Sequence, residues 1–212
     1  MQALGGRENW DNTRYITWKF FGRRLHIWDK FTGTIRIESG KHTVVMNVHT
    51  QKGRLWEFDQ EVTYPDSVAK YVEEGYHVWI NDSYWLVMPY KLKDRGVTLK
   101  YLGEREMDSG AIADVLQLTF TNVGVTPENK YEVYVNKENK RVEQWSYFSK
   151  STDTKARFTT PWLDWQKYGK IYLSSNRGKR DHTDIAVFDE LPASIFENPE
   201  RLDILSFPQA AH

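Results

Sequence analysis

Two histidines and one acid in the first strand-like segments are residue types that could hold a metal ion. His26, Glu38 and His49 lie in neighbouring segments, and imidazoles with a carboxylate are common metal ligands. They would meet only in a strand register that brings all three to one place, and spacing alone does not set the register. His42 and His49 are seven residues apart, so along one strand they point to opposite faces. We therefore expect no metal site and no cofactor.

Acidic residues beside tryptophans are a second pattern with possible chemistry. Asp29 follows Trp28, Glu57 follows Trp56, and Asp164 stands between two further tryptophans. Glycosidases use pairs of carboxylates, and an enzyme of that kind would need two of these acids at a set distance. Nothing in the spacing provides it, because acids at alternate strand positions usually face solvent. We predict that the protein is not an enzyme, and keep a carbohydrate- or lipid-active enzyme as the least favoured alternative.

Other common signatures are absent from the 212 residues. There is no GxSxG, HExxH, Walker or GxGxxG pattern, and no cysteine for a disulfide or a thiolate nucleophile. Lys and Arg total 29 and so do Asp and Glu, which gives no overall field to hold a nucleic-acid backbone. No apolar run approaches the roughly 20 residues that span a bilayer. We expect neither a nucleic-acid partner nor a membrane-spanning segment.

One segment, residues 66–88, has the spacing of a helix. Large apolar side chains recur there every three or four residues, opposite a polar face. Pro89 forbids a longer helix, and Asp82 with Ser83 could cap a second, shorter one. Together with Gly75 inside the first helix, this pattern predicts a kinked helical lid with a hinge at the Asp82-Ser83 pair.

Most of the remaining chain alternates apolar and polar residues with period two. Five such strand segments, separated by short turns, precede the helix, and about seven follow it. The pattern predicts a mainly β (α+β) protein: one domain over 1–212, with a curved antiparallel sheet of about 11–12 strands. We expect this sheet to form an open half-barrel with the kinked helix on its concave face. Residues 191–212, punctuated by prolines, form a tail.

Four stretches carry a family resemblance: ALGGRENWDNTRYITWKFFGRR, WDKFTGTIRIE, INDSYWLVMPYKLKD and LTFTNVGVTPENKYEVYVN. They resemble an uncharacterised family of envelope proteins with the LolA/LolB, LppX and RseB type of half-barrel. The resemblance covers roughly residues 2–190. It implies carriage of a lipid or lipoprotein acyl chain beneath a helical lid. It also implies a location in the cell envelope, periplasmic or anchored to the outer membrane, with the export signal outside this sequence.

We therefore expect non-catalytic binding of an apolar ligand, a lipid or an acyl chain, with an envelope protein as a further partner. The alternative is a filled half-barrel that serves as a scaffold or senses a partner, without a small-molecule ligand. An open cavity would favour the first, and a solid core with an exposed aromatic patch the second. The residues expected to line the ligand site come from the helix and the facing strands: Trp18, Phe20, Leu25, Ile27, Met46, Tyr71, Val72, Trp79, Tyr84, Trp85 and Leu118.

Overall fold

The computed structural model describes residues 1–121 and 124–211, so that the last residue of the predicted tail lies outside it. Two α-helices, α1 (Arg7–Asn12) and α2 (Pro65–Lys91), occur with short 3-10 turns near both ends of the chain. The strands are β1 (Tyr15–Phe20), β2 (Arg24–Asp29), β3 (Thr34–Ser39), β4 (His42–Asn47), β5 (Lys52–Glu57), β6 (Gln60–Val62), β7 (Val97–Glu106), β8 (Ile112–Phe120), β9 (Lys130–Asn136), β10 (Val142–Phe148), β11 (Phe158–Pro161), β12 (Leu163–Tyr168), β13 (Ile171–Asn176) and β14 (Thr183–Phe188).

These strands form curved antiparallel sheets that remain open, with α2 packed against them. The larger sheet has seven strands in the order β14-β1-β2-β3-β4-β5-β6, and the smaller has five in the order β11-β10-β9-β8-β7. The remaining two strands, β12 and β13, pair only with each other among the described residues. The predicted fold class, mainly β with an open half-barrel and a helix, is confirmed. The predicted strand number was slightly low, and the strands divide among three sheets.

The inner face of the seven-stranded sheet is filled by large apolar side chains. Trp18 pairs with His26, and His26 pairs with Ile37, so all three project to the same face. Val72 and Leu86 of α2 complete the same core, and both are buried. Strict alternation along β1–β4 produces this face, because a half-buried strand places every second side chain inside.

The outer face of the same sheet is covered by the C-terminal tail. Arg36, fully buried, pairs with Glu38 at 2.7 Å and donates to the carbonyl oxygens of Ile195 and Glu200 at 2.9 and 2.7 Å. These bonds satisfy an otherwise costly buried charge and attach the tail to the sheet. Tail side chains cover the rest of that face with Leu25 and Ile27.

Helix α2 is continuous, and this corrects the prediction of a kinked pair. It runs from Pro65 through Asp82 and Ser83 to Lys91, with Pro89 inside its last turn. The prediction failed because a proline near a helix end removes only one hydrogen bond. The carbonyl freed by Pro89 is that of Trp85, four residues earlier, and it finds other donors.

The chain after β11 also differs from the prediction. The sequence predicts about seven strands after the helix, whereas the described residues form eight, because β12 forms within PWLDWQKYG and pairs with β13 from Leu163 to Tyr168. A strand forms because Trp165 packs between the two larger cores and its indole N–H donates to the carbonyl of Val142 at 2.9 Å.

Replacing Gly75 by Ala is expected to stabilise the protein. A Cβ there would lie 3.5 Å from Met46 Sδ and from Val44 Cγ1, an ordinary contact distance. Glycine in a helix interior costs about 0.5–1 kcal/mol relative to alanine, so the free energy of unfolding should rise by about that amount. Chemical denaturation measures it. Gly53→Ala is the contrasting control, because its Cβ would lie 2.4 Å from the carbonyl oxygen of Val45. Destabilisation by Gly75→Ala would contradict the described packing.

Candidate functional site

A buried ion pair fixes the position of α2 on the sheet. Asp82, in the middle of the helix, is fully buried and accepts two hydrogen bonds from Arg24, at 2.7 and 3.0 Å. His26 Nε2 lies 2.8 Å from the same carboxylate, and the Asn81 amide donates to it at 2.8 Å. Strand β2 thus presents a cation and an imidazole two residues apart, on one face, to a single carboxylate.

Electrostatics keep this group as a carboxylate beside a neutral imidazole. Burial by itself would raise the pKa of Asp82, but hydrogen bonds from His26 and Arg24 outweigh it and hold the pKa below its usual value. Burial lowers the pKa of His26, and the bond to Asp82 offsets only part of that effect. The predicted hinge at Asp82 and Ser83 is therefore wrong: the aspartate makes tertiary bonds and does not cap a second helix.

The last turns of α2 are held by a second buried group. Arg177, 4% exposed, donates to the carbonyl oxygen of Trp85 at 2.7 Å, and His182 Nε2 lies 3.2 Å from the same oxygen. This is the carbonyl that Pro89 leaves without its helical donor. The guanidinium of Arg177 also stands 3.6 Å over the ring of Trp162. The proline, which sequence reasoning took as a helix end, thus creates an anchoring point.

Two adjoining cavities lie beside α2, and together we call them the cleft. The Tyr131 cavity, between α2 and the five-stranded sheet, has a volume of about 370 Å³. The Trp79 cavity lies between β2 on one side and α2 with the start of β7 on the other. Its volume is about 410 Å³. Ile80, Tyr84 and Phe120 line both cavities. Volumes of this size are at the lower end of the roughly 300–1,000 Å³ found for small-molecule sites.

Aromatic side chains form the wall of the Tyr131 cavity. Tyr131 of β9 stacks on Trp145 of β10, with ring centroids 4.8 Å apart and planes 2° from parallel. Trp145 meets Trp85 of α2 edge to face at 4.7 Å. Phe158 and Tyr147 continue the wall at a centroid distance of 5.2 Å. Such pairs contribute beyond their buried area, so the wall is rigid and apolar.

Tyr84 lies where the two cavities adjoin. Its hydroxyl is buried, with no hydrogen-bond partner in the described part of the chain. Burial, with Tyr131 nearby, raises the pKa of Tyr84 well above its ordinary value. Burial likewise raises the pKa of Tyr131 to about 12. Both phenols are therefore neutral at physiological pH, and no charged residue of the described part of the chain lines the Tyr131 cavity.

Three of the eleven predicted site residues line the cleft: Trp79, Tyr84 and Trp85. Leu25 and Ile27 lie under the tail on the outer face, so their predicted position on the concave side is wrong. The choice failed because they alternate with His26 and Trp28, which take the inner face. The other six fill the cores or pack against them: Trp18, Phe20, Met46, Tyr71, Val72 and Leu118.

Sequence reasoning missed most of the cleft wall. Tyr131, Trp145 and Tyr147 lie at alternating positions of neighbouring strands, and this period-two run of aromatic residues was the available signal. The loop before β9 also contributes, since Thr126 lines the Tyr131 cavity.

The residues considered for catalysis or metal binding lie apart. His26 faces α2, Glu38 faces the tail, and His49 is exposed. Among residues 1–121 and 124–211 no group of three or more His, Cys, Asp or Glu side chains could hold a metal ion. The acids beside tryptophans are held separately: Asp29 by Arg14 and Asp164 by Gln166. In the same part of the chain, no helix has the length and apolarity to cross a membrane.

Comparisons with known proteins provide a distant structural likeness. No protein family matches the chain, and no curated protein matches it. Among solved structures, it is similar to a DUF1329 family protein from Desulfovibrio piger, with 12% identity and a TM-score of 0.44. The match covers 89% of this chain and 92% of that chain. The function is therefore inferred from the geometry of the cleft.

Asp82→Asn is expected to destabilise the protein by about 3 kcal/mol, the lower end of the range for breaking a buried ion pair, because Arg24 stays 24% exposed. The amide keeps the volume but leaves Arg24 without its countercharge. Urea denaturation measures the change. Asp11→Asn is the matched control, since Asp11 pairs with Arg7 in solvent. A loss no larger than that of the control would show that the ion pair does not hold α2.

His182 is expected to make the protein acid-sensitive. Burial, and then the charge of Arg177, lower the pKa of His182 from 6.5 to about 3. The unfolded chain therefore binds a proton that the folded chain does not. Stability from this group is complete above pH 6.5 and is lost as the pH falls towards 3, by about 1.4 kcal/mol per pH unit. In denaturation series at pH 4–7, the free energy of unfolding of the His182→Gln variant should change less steeply with pH, by about one proton, than that of the wild type. The His49→Gln variant should keep the wild-type slope. An unchanged slope in His182→Gln would refute the assignment.

Proposed function

We propose that the protein binds an apolar ligand, a lipid or acyl chain, in the cleft without chemical conversion. The observation that supports it most directly is the pair of adjoining cavities with shared walls at Ile80, Tyr84 and Phe120. Apolar area removed from water contributes roughly 25 cal/mol per Å², so a chain lying along both cavities would gain most of its affinity from burial.

The position of the open space refines the proposal. The concave face of the seven-stranded sheet is filled, because Trp18, Met46 and Leu86 are at most 1% exposed. The open space lies beside α2: the Tyr131 cavity faces the five-stranded sheet, and the Trp79 cavity lies between the start of β7 and Trp28 of the seven-stranded sheet. Since Asp82 and Trp85 attach the helix at two levels, we propose that the ligand reaches the cleft without displacing α2 as a lid.

The envelope location is part of the same proposal and depends on the sequence resemblance to half-barrel carriers. Carriers of that type hold their cargo beneath helices on a curved sheet, and here a helix and a curved sheet border the cleft. We propose a periplasmic or outer-membrane-anchored protein that carries the ligand to an envelope partner.

A second candidate function, a scaffold or partner-sensing protein, has one observation in its favour. Phe58, 71% exposed, follows β5, and Tyr64, 76% exposed, precedes α2. Both residues flank β6, the edge strand of the seven-stranded sheet, and exposed aromatic side chains are a feature of protein contact sites. This function predicts loss of partner capture, with ligand uptake intact, when both residues become serine.

Filling the junction of the two cavities should abolish uptake. Ile80→Trp places an indole between Tyr84 and Phe120, where both cavities meet. Native mass spectrometry of protein purified from a homologous envelope, with organic extraction, should find a lipid on the wild type and none on this variant. Uptake of a dansyl-labelled fatty acid should fall at least tenfold.

Val78→Trp is the matched control. Val78 is also half-buried on α2, but it packs against the filled core and is not part of either cavity lining. Circular dichroism confirms that each variant folds. A wild-type protein that carries no lipid and takes up no fatty acid would overturn the proposed function, as would equal uptake by Ile80→Trp and Val78→Trp.

A further inference from the structure

The two ends of the cleft differ in charge. Within residues 1–121 and 124–211, no charged side chain lines the Tyr131 cavity, whereas Lys30, Lys91, Arg95 and Asp94 line the Trp79 cavity. Three cations against one carboxylate leave an excess of positive charge at that end. A ligand that is apolar at one end and anionic at the other complements this arrangement.

The cations of the Trp79 cavity are incompletely neutralised. Lys91 Nζ lies 2.7 Å from the carboxylate of Asp94, the one carboxylate that the described residues contribute to the lining of this cavity. Arg95 is exposed and forms no ion pair with another described residue. Lys30 stands 4.8 Å over the ring of Trp10, and burial lowers the pKa of its ammonium. An anion placed here would therefore gain from at least two cations.

Apolar side chains continue from the charged end to the uncharged one. Trp28, Trp79 and Val87 lie beside the cations, and Tyr84 and Phe120 lead on to the aromatic wall. A molecule that uses both ends must therefore have an apolar body attached to its charged group. The modest volumes, about 370 and 410 Å³, suit one chain.

We propose that the cleft takes a single-chain amphiphile with an anionic head group, its chain in the Tyr131 cavity and its carboxylate or phosphate beside Lys91 and Arg95. This inference rests on the proposed function and specifies its ligand class. The aromatic wall excludes water from the chain, and the cations select the head group.

Four ligands with the same chain test the head group: myristate, tetradecyl phosphate, tetradecanol and tetradecyltrimethylammonium. Each competes with the neutral dye phenylnaphthylamine for the wild-type protein, below its micelle concentration. Since two partly exposed ion pairs contribute on the order of 1–2 kcal/mol, the acid or the phosphate should bind about 5- to 30-fold more tightly than the alcohol. The ammonium compound should bind most weakly. The tighter of the two anions identifies the head group.

The double variant Lys91→Gln/Arg95→Gln should lose the preference for the anion over the alcohol. Lys52→Gln/Lys155→Gln removes the same charge from exposed positions away from both cavities and should keep that preference. Equal binding of anion and alcohol by the wild type would overturn this inference and leave the proposed function intact. So would an anion preference that survives in Lys91→Gln/Arg95→Gln. Failure of all four ligands to displace the dye would overturn both.

Discussion

The carboxylate of Asp82 determines how the whole helix is oriented. A helix turns by about 100° per residue, so side chains two positions away point roughly 200° around the axis. Because Asp82 faces Arg24 and His26 on the seven-stranded sheet, Ile80 and Tyr84 must face away from it. Those two residues line both cavities. The two cavities thus meet on the side of α2 opposite to its ion pair.

Attaching a helix through a buried ion pair costs free energy, since two charges must leave water. Here the cost is reduced because the carboxylate is fully hydrogen-bonded by Arg24, His26 and Asn81. An apolar residue at position 82 would also pack against the sheet, but it would allow several rotations of α2 about its axis. The directional hydrogen bonds of Asp82 allow only one. Retention of the ion pair is therefore explained by the geometry of the cleft rather than by stability alone.

Some features of the two sheets and the helix could be predicted from the sequence, and others could not. Alternation in β1–β5 predicts an open antiparallel sheet, and spacing in 66–88 predicts a helix on it, because both patterns depend on local periodicity. The assignment of Leu25 and Ile27 to the inner face failed, since both faces of β2 are covered: the tail packs on Leu25 and Ile27, and α2 packs on the face that carries Arg24, His26 and Trp28. A strand covered on both sides carries no sign of which face is which.

The errors at Asp82 and Pro89 have a common physical cause. Both residues have strong local preferences, one for capping a helix and the other for ending it, and both were interpreted by those preferences. In the folded protein each is satisfied by residues distant in sequence, Asp82 by Arg24 and the carbonyl freed by Pro89 by Arg177. Local rules fail where an arginine 58 or 92 positions away in the sequence makes the hydrogen bond that the local rule assigns to a neighbouring residue.

The cleft itself is formed by segments that no local pattern connects. Its wall combines α2, β8, β9 and β10 with the loop from Gly124, and their approach depends on the anchors at the two levels of the helix. The half-barrel is consequently filled in one half and open in the other. The filled half holds α2 rigid through Trp18, Met46 and the ion pair, which allows the open half to keep an aromatic wall without collapsing onto it. Apolar walls that nothing held apart would close to remove the space between them. A stable open cleft therefore requires the rigid core on the other side of the helix.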